Sequence, residues 1–513
     1  AIFGSLFQSI MNTQERRHLG AHYTSETNIL KAIGPLFLDA LKVEFEQIKT
    51  QPAKLRAFHE KLSKLNFFDP ACGCGNFLVI AYREIRLIEL EVIRILYSKS
   101  QQMALDVINH FVKVDVDQFH GIEIDEWPAQ IARVAMWLLD HQMNVKLSQD
   151  FGEPFVRVPL VKTANIVHGN ALILDWSSVI APAKCSYIIG NPPFKGAKNL
   201  SDEQRRDVDF VLDGIESAGV LDLVSAWYVK AARYMTSAPA NARPTTALVS
   251  TNSITQGEQV AVLWTWLLAY GVHIHFAHRT FQWSNEARGN AAVHCVIIGF
   301  GIDEAQTKTL FEYASIRGAP HAIKATNINP YLVDAKNLLV MGRTTTICEA
   351  PAIVNGSIPA DGGNLILSPE ERKELLANQP EARPFIRRYL GADDFISDKV
   401  RYCLWLVDCP PELLRKMPLV MARIKAVKVM REKSPKDATV AKAVAASLFT
   451  ENRQPVSGTY LAIPRTSSEF RMAIPIGFMS HTNIAANDLQ IVPNAGLFHF
   501  GVLSSAMHTA WAR

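Results

Sequence analysis

The residues best suited to chemistry form a short loop, Asn191-Pro192-Pro193-Phe194, directly after the apolar run SYIIG. The two prolines fix φ and remove backbone donors, so the loop is stiff and presents carbonyls and the Asn191 amide. Asn191 Oδ1 and the Pro192 carbonyl can accept both N–H bonds of an exocyclic amine, which raises the electron density on its nitrogen as it attacks a methyl sulfonium. Phe194 offers a face on which a planar base can stack. The loop predicts methylation of a planar amine, although any Asn-Pro-Pro can also be a plain rigid turn.

A second constellation, FDPACGCGNF at 68–77, lies between an apolar run and the helical segment NFLVIAYREI. Glycines at a strand-to-helix turn allow a ligand to approach the backbone, and the helix amino end offers unpaired N–H groups. Asp69 could receive the ammonium group of a bound amino acid. By itself the loop fits an ordinary turn or a dinucleotide site equally well. Cys72 and Cys74 have no further ligands at paired spacing, so no metal site is predicted.

A third constellation, GIEID at 121–125, ends an apolar run with acidic residues. An acid at the end of the second strand of a nucleoside-binding sheet accepts hydrogen bonds from ribose hydroxyls, and we assign this role to Glu123, with Asp125 as the lesser candidate. Glu123 follows Asp69 by 54 residues, well beyond the usual spacing of about 20. A lengthened helical crossover would account for the difference. A solvent-facing strand end is the alternative.

The elements that must position these residues are strands alternating with helices between about residues 67 and 305. The predicted strands are NFFDP, FHGIEID, NIVHG, SYIIGNPP, TALVST, HIHFAHRT and HCVIIGF. This alternation predicts an α/β fold with a doubly wound, mainly parallel sheet that collects ligands at the carboxyl ends of its strands. Residues 1–66 are predicted to be helical, and residues 306–513, which are punctuated by Pro and Gly, to form a mixed α+β domain.

Composition and charge set the broad class. With 513 residues, 48% of them apolar and 20% charged, the chain fits a globular protein of two or more domains. We expect a cytoplasmic protein with no membrane partner, because no apolar run approaches the roughly 18 residues of a spanning helix and no export signal opens the chain. Residues 413–436 hold eight Lys or Arg against one acid. Such a segment suits phosphate binding, but a solvated helix face explains it as well.

The motifs in chain order resemble the γ-class amino-methyltransferases of DNA: HYTS at 22–25, FDPACGCGNF, GIEID, GNAL at 169–172 and NPPF. LGAHYTSE, DGGNLILSPEER, RYCLWL and IPRTSSE are more narrowly similar to single-chain restriction-modification enzymes of the MmeI type. The resemblance covers nearly the whole chain. It implies a class I methyltransferase fold that uses S-adenosylmethionine, a carboxyl-terminal target-recognition domain, and methylation of the 6-amino group of adenine in duplex DNA by base flipping.

The resemblance also implies roles for individual residues. Tyr23 and Thr24 would contact the methionine part of the cofactor, and Asn170 would lie near its adenine. The chain departs from the common family pattern at Cys74, where Ser is usual, and at Asn170, where many members carry Asp; neither change removes a group on which transfer depends. The full predicted cofactor set is Tyr23, Thr24, Asp69, Pro70, Ala71, Gly73, Gly75, Asn76, Phe77, Glu123, Ile124, Asn170 and Ala171.

Contacts to DNA are predicted in two places. A flipped base needs a second aromatic opposite Phe194, for which Phe281 is the better match and Trp283 the next, although either is as easily a core residue. The basic segment lies where the family has its recognition domain. The predicted DNA-binding residues are Arg415, Lys416, Arg423, Lys425, Lys428, Arg431, Arg465 and Arg471, with Ser467 and Ser468 as further candidates for base contacts.

Three other functions stay open: methylation of the 4-amino group of cytosine, methylation of protein glutamine, and an inactive DNA-recognition subunit. The long second domain argues against the glutamine enzymes, which are short, and the intact Asp69, Asn191 and Phe194 argue against an inactive subunit. The resembled enzymes join a nuclease to the amino side, and no such catalytic cluster is apparent. We therefore expect a nuclease segment removed from a monomeric protein, with a free-standing modification enzyme as the alternative, and an incomplete recognition domain.

Overall fold

The computed structural model describes residues 24–97, 112–151, 163–283, 293–343, 345–468 and 471–512. The chain divides into two compact units, Ala1–Arg343 and Thr344–Arg513. The first unit therefore continues past the boundary predicted at residues 305 and 306. The reason is that two strands after this point extend the sheet of the first unit.

The first unit is built on a nine-stranded sheet in the order β3-β2-β1-β4-β5-β7-β6-β8-β9. Strands β1 to β5 run parallel to one another, and β7 is antiparallel to both β5 and β6. All seven strands predicted between residues 67 and 305 are present, which confirms the doubly wound, mainly parallel fold. The strands are β1 (Phe67–Asp69), β2 (Phe119–Glu123), β3 (Asn165–His168), β4 (Tyr187–Gly190), β5 (Thr245–Thr251), β6 (His273–Trp283), β7 (Val293–Gly301), β8 (Lys308–Tyr313) and β9 (Pro320–Ala325).

Helices cover both faces of this sheet, so the central strands are apolar on both sides. Two neighbouring residues of β1 illustrate the division, because Phe67 packs into one core cluster and Phe68 into the other. The first cluster contains residues of α1 to α5 and the second contains residues of α6 to α8. The helices are α1 (Glu26–Ile33), α2 (Asp39–Ile48), α3 (Pro52–Leu62), α4 (Asn76–Tyr97), α5 (Glu126–Phe151), α6 (Asp202–Val211), α7 (Ser225–Thr236) and α8 (Glu258–Ala269).

Strands β8 and β9 were absent from the sequence prediction. β8 pairs parallel with β6, and β9 pairs antiparallel with β8 at the edge of the sheet. The segment of β9, PHAIKA, is mostly exposed. An exposed edge strand needs no apolar face, so its sequence carries little of the alternation that identifies buried strands.

The second unit has the mixed character predicted for it. Two four-stranded sheets have the orders β10-β17-β14-β15 and β11-β13-β12-β16. Its strands are β10 (Val354–Asn355), β11 (Ile366–Leu367), β12 (Ile386–Leu390), β13 (Arg401–Leu404), β14 (Thr459–Pro464), β15 (Gly477–Ser480), β16 (Asn483–Ala485) and β17 (Leu489–Pro493). Its helices are α9 (Pro369–Asn378), α10 (Ala392–Ser397), α11 (Pro411–Arg415), α12 (Pro418–Glu432), α13 (Asp437–Val440), α14 (Leu497–Ser504) and α15 (Ala506–Ala512). Among the described helices of both units, none is long and apolar enough to cross a membrane.

Candidate functional site

The candidate site lies where the order of the sheet reverses. The chain passes from β1 outward to β2 and β3, then returns to β4 on the other side of β1. Loops after β1 and β4 diverge at such a point and leave a crevice at the carboxyl ends of the strands. Asp69, the last residue of β1, and Asn191, the first after β4, are therefore neighbours. Both line a cavity of about 230 Å³.

This cavity brings together nearly all of the residues predicted for the cofactor. Of that set, Gly75 does not line it and Tyr23 lies outside the described residues. Asn191 and Pro193 of the NPPF loop also line the cavity, whereas Pro192 is buried beside it. The predicted residues that line it are Thr24, Asp69, Pro70, Ala71, Gly73, Asn76, Phe77, Glu123, Ile124, Asn170 and Ala171.

The loop after β1 has the backbone shape for which glycine is suited. Gly73 has φ +54° and Gly75 has φ +82°, both in the left-handed region that side chains disfavour. A Cβ on Gly75 would also lie 3.1 Å from the Cβ of Ala132 on α5. Gly75 therefore lets the start of α4 pack closely on α5, and Gly73 lets the loop turn beneath the cavity.

The Asp69 carboxyl is buried at the floor of the cavity. Its Oδ1 accepts a hydrogen bond from the Ala71 backbone N–H at 3.0 Å. Burial raises the pKa of Asp69 to about 8, with a further contribution from the nearby charge of Glu123. A Cβ on Gly190 would lie 2.7 Å from Asp69 Oδ1, so glycine before the NPPF loop lets the carboxyl lie against β4. A buried acid of this kind is suited to a cationic ligand that restores its charge.

Glu123 connects the loops that follow β1 and β2. Its Oε2 accepts from the Gly73 N–H at 2.8 Å and its Oε1 accepts from the Asp125 N–H at 3.0 Å. Burial raises the pKa of Glu123, although these backbone donors act in the opposite direction. Each carboxylate oxygen has more than one acceptor position, so Glu123 can hold the loop and also receive hydroxyl groups of a ligand.

Thr24 orients the amide of Asn191. Asn191 Nδ2 donates to Thr24 Oγ1 at 3.1 Å, across 167 residues of sequence. Thr24 is buried just before α1. Because the amide nitrogen is directed to this hydroxyl, the amide oxygen faces the other way. Thr24 was predicted as a cofactor contact, whereas its hydrogen bond to Asn191, the first residue of the NPPF loop, was not predicted.

The rest of the NPPF loop is held by the segments that follow it. Phe194 is half-buried and packs against both core clusters. The Lys195 carbonyl accepts from the Leu223 N–H at 3.0 Å, and Lys195 Nζ donates to Gln204 Oε1 on α6 at 2.7 Å. The loop is thus fixed on both sides of Phe194.

None of the aromatic residues predicted to stack on a base lines the cavity, and this includes Phe194. Phe281 and Trp283 lie in β6 with 1% and 3% of their surface exposed, and neither lines the cavity. Phe281 instead stacks on Tyr313 at 5.3 Å between ring centroids, and Lys31 Nζ lies 4.2 Å from its centroid. Both rings are therefore core residues here. The prediction that Phe281 or Trp283 forms a stacking clamp with Phe194 is therefore wrong, because a base could reach either ring only if that ring left the core.

Several cavity residues were not predicted from the sequence. Trp227 on α7 donates from Nε1 to the Pro70 carbonyl at 3.1 Å and so supports the loop after β1. Gln204 and Asp207 on α6 also line the cavity, and Asn170 Nδ2 donates to Asp207 Oδ2 at 2.8 Å. No motif marks α6. Its only sequence signal is the capping pair Ser201 and Gln204, which identifies the start of a helix but not a ligand site.

Two cysteines of the loop after β1, Cys72 and Cys74, also line the cavity. Cys72 and Cys74 are both buried, and burial raises the pKa of Cys72 well above its ordinary value. Over the described part of the chain, no group of three or more His, Cys, Asp or Glu is arranged to hold a metal ion. The two cysteines fill the loop as small side chains.

Two family models match the chain. The MmeI DNA-methyltransferase domain matches residues 45–312, and the MmeI target recognition domain matches residues 334–513. The chain belongs to the MmeI family. Its cavity lies in the part matched by the methyltransferase domain, and its second unit corresponds to the target recognition domain.

Two known proteins extend this assignment. DNA methyltransferase A of Bacillus subtilis (strain 168) is 36% identical over 518 residues, which cover 100% of this chain and 57% of that protein. The solved structure of the type IIL restriction-modification enzyme MmeI in complex with DNA is 52% identical with a TM-score of 0.94, covering 100% of this chain and 67% of that one. The chain thus spans little more than half the length of the curated relative.

In the second unit, one predicted DNA contact, Arg431, is wrong, and another, Arg423, is engaged in contacts within the unit. Arg431 is fully buried, and its guanidinium donates to the backbone carbonyls of residues 359, 360, 442, 445 and 448. Arg423 donates to Glu371 Oε1 at 2.6 Å and to the Asn364 carbonyl at 3.1 Å. Both are committed to holding α12 in the unit. A basic helix read from sequence does not reveal which of its cations face inward.

The other predicted cations of this unit are on its surface, except that Arg471 is half-buried and donates to Ser467 Oγ at 3.5 Å. On α12, Lys425 and Lys428 are exposed, and Lys428 lies 3.8 Å from Glu432. Ser467 and Ser468 are exposed in the loop after β14. The exposed predicted cations are Arg415, Lys416, Lys425, Lys428 and Arg465.

Proposed function

We propose that this chain transfers a methyl group from S-adenosylmethionine to the 6-amino group of adenine in duplex DNA, as the modification part of a restriction-modification system. The observation that carries the proposal is the Asn191 amide, held by Thr24 at the end of β4 beside the Asp69 cavity. An amide oxygen and a stiff proline carbonyl next to a ligand cavity suit a planar amine. Membership in the MmeI family supports DNA as the acceptor.

The charges of the cavity residues, and the order of the strands that they follow, fit the proposed cofactor. S-Adenosylmethionine supplies a methyl group bonded to a sulfonium, together with an ammonium, a ribose and an adenine. Asp69 ends β1, Glu123 ends β2 and Asn170 follows β3, and these strands are adjacent. We assign the ammonium to the buried Asp69 carboxyl and the ribose hydroxyls to Glu123. The adenine then lies at the carboxyl end of β3.

The chain's own residues activate the amine without a general base. Asn191 Oδ1 and the Pro192 carbonyl accept its two N–H bonds and direct the nitrogen lone pair toward the methyl carbon. A nitrogen–carbon bond forms as the carbon–sulfur bond breaks, and one proton leaves the nitrogen for water. Phe194 stacks on the base and keeps its plane fixed. Positioning and hydrogen bonding by a stiff loop supply most of the barrier reduction in such a transfer.

The second unit is assigned to holding the duplex. Arg415, Lys416, Lys425, Lys428 and Arg465 provide exposed positive charge for phosphate contacts, which give affinity that is independent of sequence and sensitive to salt. The MmeI structure of 52% identity was solved in complex with DNA, which supports the same partner for this chain. Base readout is assigned to the exposed loop with Ser467 and Ser468.

The test uses S-adenosylmethionine labelled in its methyl group. The chain is incubated with labelled cofactor and duplex DNA of mixed sequence, and the DNA is freed of protein and hydrolysed to nucleosides. We expect label in 6-methyladenine. Label in 4-methylcytosine would retain the donor and the DNA but change the base, and label in protein alone would reject DNA as the acceptor.

A further inference from the structure

Asp207 and Asn170 form a polar pair at the end of the cavity that follows β3. Both residues line the cavity, although they lie 37 residues apart in sequence. Asn170 belongs to the turn after β3, and Asp207 lies on α6, which follows the NPPF loop. Asn170 Nδ2 donates to Asp207 Oδ2 at 2.8 Å. The Asn170 amide thereby holds one oxygen of the Asp207 carboxylate at the cavity.

The Asn170 side chain is occupied by contacts within the protein. Its Oδ1 accepts from the Leu172 N–H at 2.9 Å, while its Nδ2 is directed to Asp207. The turn itself is fixed by Lys230 on α7, whose Nζ donates to the carbonyls of Ala171 and Leu172. Asn170 is therefore better placed to orient Asp207 than to accept a hydrogen bond from a ligand.

Asp207 keeps acceptor capacity at the cavity. A carboxylate has two oxygens with about four acceptor positions, and the hydrogen bond from Asn170 uses one position on Oδ2. No described basic residue forms an ion pair with Asp207. A half-buried carboxylate of this kind suits a ligand group that donates N–H bonds.

The order of the strands indicates which part of a ligand reaches Asp207. Asp69, Glu123 and Asn170 stand at the ends of three adjacent strands, β1, β2 and β3. Adjacent strands are about 4.8 Å apart, so these ends span about 10 Å, the scale of an extended nucleoside joined to an amino acid. If Asp69 receives the ammonium and Glu123 the ribose, the base lies beside Asp207.

Resting on the proposed function, we infer that Asp207 accepts a hydrogen bond from the 6-amino group of the cofactor adenine, and that Asn170 positions Asp207 for this contact. The acceptor that selects an amino-bearing base thus comes from α6 rather than from the turn after β3. Asp207 is then a specificity residue of the cofactor site and takes no part in the transfer itself.

The test is direct binding of two ligands, measured by calorimetry without DNA. One is S-adenosylhomocysteine, and the other is S-inosylhomocysteine, in which a 6-oxo group replaces the 6-amino group. The wild-type chain should prefer the adenosyl ligand, because the oxo group faces the carboxylate. Asp207→Ala should reduce the affinity for the adenosyl ligand roughly tenfold to a hundredfold, the usual effect of losing a hydrogen bond to a charged group. Asp207→Asn should lose most of the preference, because an amide can also donate to the oxo group.

Asp209 on the same helix provides the matched control. It is exposed and does not line the cavity, so Asp209→Asn should bind both ligands as the wild type does. Thermal melting of each variant identifies one that fails to fold. If the wild type binds S-adenosylhomocysteine, and Asp207→Ala and Asp207→Asn have the same affinity as the wild type for each of the two ligands, the role assigned to Asp207 is wrong while the cofactor assignment stands. If the folded wild type binds neither ligand, the proposed function fails and the inference fails with it.

Discussion

Replacing Asp69 by Asn should abolish a proton release that accompanies cofactor binding. Burial raises the pKa of Asp69 to about 8 in the ligand-free cavity, so its carboxyl is protonated at neutral pH. A bound ammonium favours the ionised carboxylate and lowers that pKa again. Binding should therefore release about one proton at about pH 6.5 and about half a proton at about pH 8.

The raised pKa of Asp69 also determines how the affinity for the cofactor depends on pH. Below the ligand-free pKa, deprotonation must accompany binding, so affinity rises with pH up to about 8 and is flat above it. Between about pH 6 and pH 8 the binding constant should increase roughly 50-fold. In the Asp69→Asn variant affinity should be lower and nearly independent of pH over this interval, since no proton remains to be lost.

Calorimetry with S-adenosylhomocysteine in buffers of different ionisation heat measures this release directly. The slope of the observed enthalpy against the buffer heat gives the number of protons. Glu123→Gln is the control, because it changes the neighbouring buried carboxyl and should keep most of the release. The assignment of the ammonium to Asp69 would be refuted if the wild type released no proton at about pH 6.5, or if Asp69→Asn released as many as the wild type.

Three further predictions follow from single contacts. Thr24→Val should free the Asn191 amide and so reduce the rate of methyl transfer roughly tenfold or more, and Thr24→Ser should restore the rate. Equal rates of the two variants in single-turnover assays would reject the positioning role of Thr24. Gly190→Ala should weaken S-adenosylhomocysteine binding in calorimetry, because a Cβ 2.7 Å from Asp69 Oδ1 must displace that carboxyl; unchanged binding would contradict this. Arg431→Met should lower the free energy of unfolding of the second unit by about 3 kcal/mol, because it leaves buried carbonyls unpaired. Lys425→Gln should leave the denaturation curve unchanged and reduce the salt dependence of DNA binding.

The sheet was predictable because its strands are buried on both faces. Apolar runs such as SYIIG and TALVST must be strands or buried helices, and their short length between helical segments favours strands. Strand order was not contained in these runs. It depends on which crossovers pack best, and the family resemblance supplied the methyltransferase fold. The edge strand β9 was missed because its exposed face requires no such pattern.

The site was predictable where chemistry constrains residue types at strand ends. Asp69, Glu123 and Asn191 end or follow buried strands, and parallel strands bring such ends to one edge of a sheet. Contacts between distant segments were not predictable in this way. The bond from Asn191 to Thr24 and the bond from Asn170 to Asp207 each depend on how a helix packs over the crevice, which no local pattern records.

The incorrect predictions of site residues share one cause, which is that the sequence gives the type of a residue but not the direction of its side chain. Phe281 and Trp283 occupy the chain position of an aromatic clamp, yet β6 directs both into the core. Arg431 belongs to a basic segment, yet its guanidinium satisfies five backbone carbonyls inside the second unit. Its neighbours Lys425 and Lys428 are exposed.

The role proposed for the Asn191 loop is methylation of the 6-amino group of adenine in DNA. Mass spectrometry of hydrolysed DNA tests it most directly, after incubation with S-adenosylmethionine carrying a deuterated methyl group. Wild type and Asn191→Ala are compared at cofactor concentrations shown by calorimetry to saturate both. We expect deuterated 6-methyladenine from the wild type and none from Asn191→Ala, whose cofactor affinity should be nearly unchanged. Deuterated 6-methyladenine at equal yield from the two proteins, or deuterium in 4-methylcytosine instead, would contradict it.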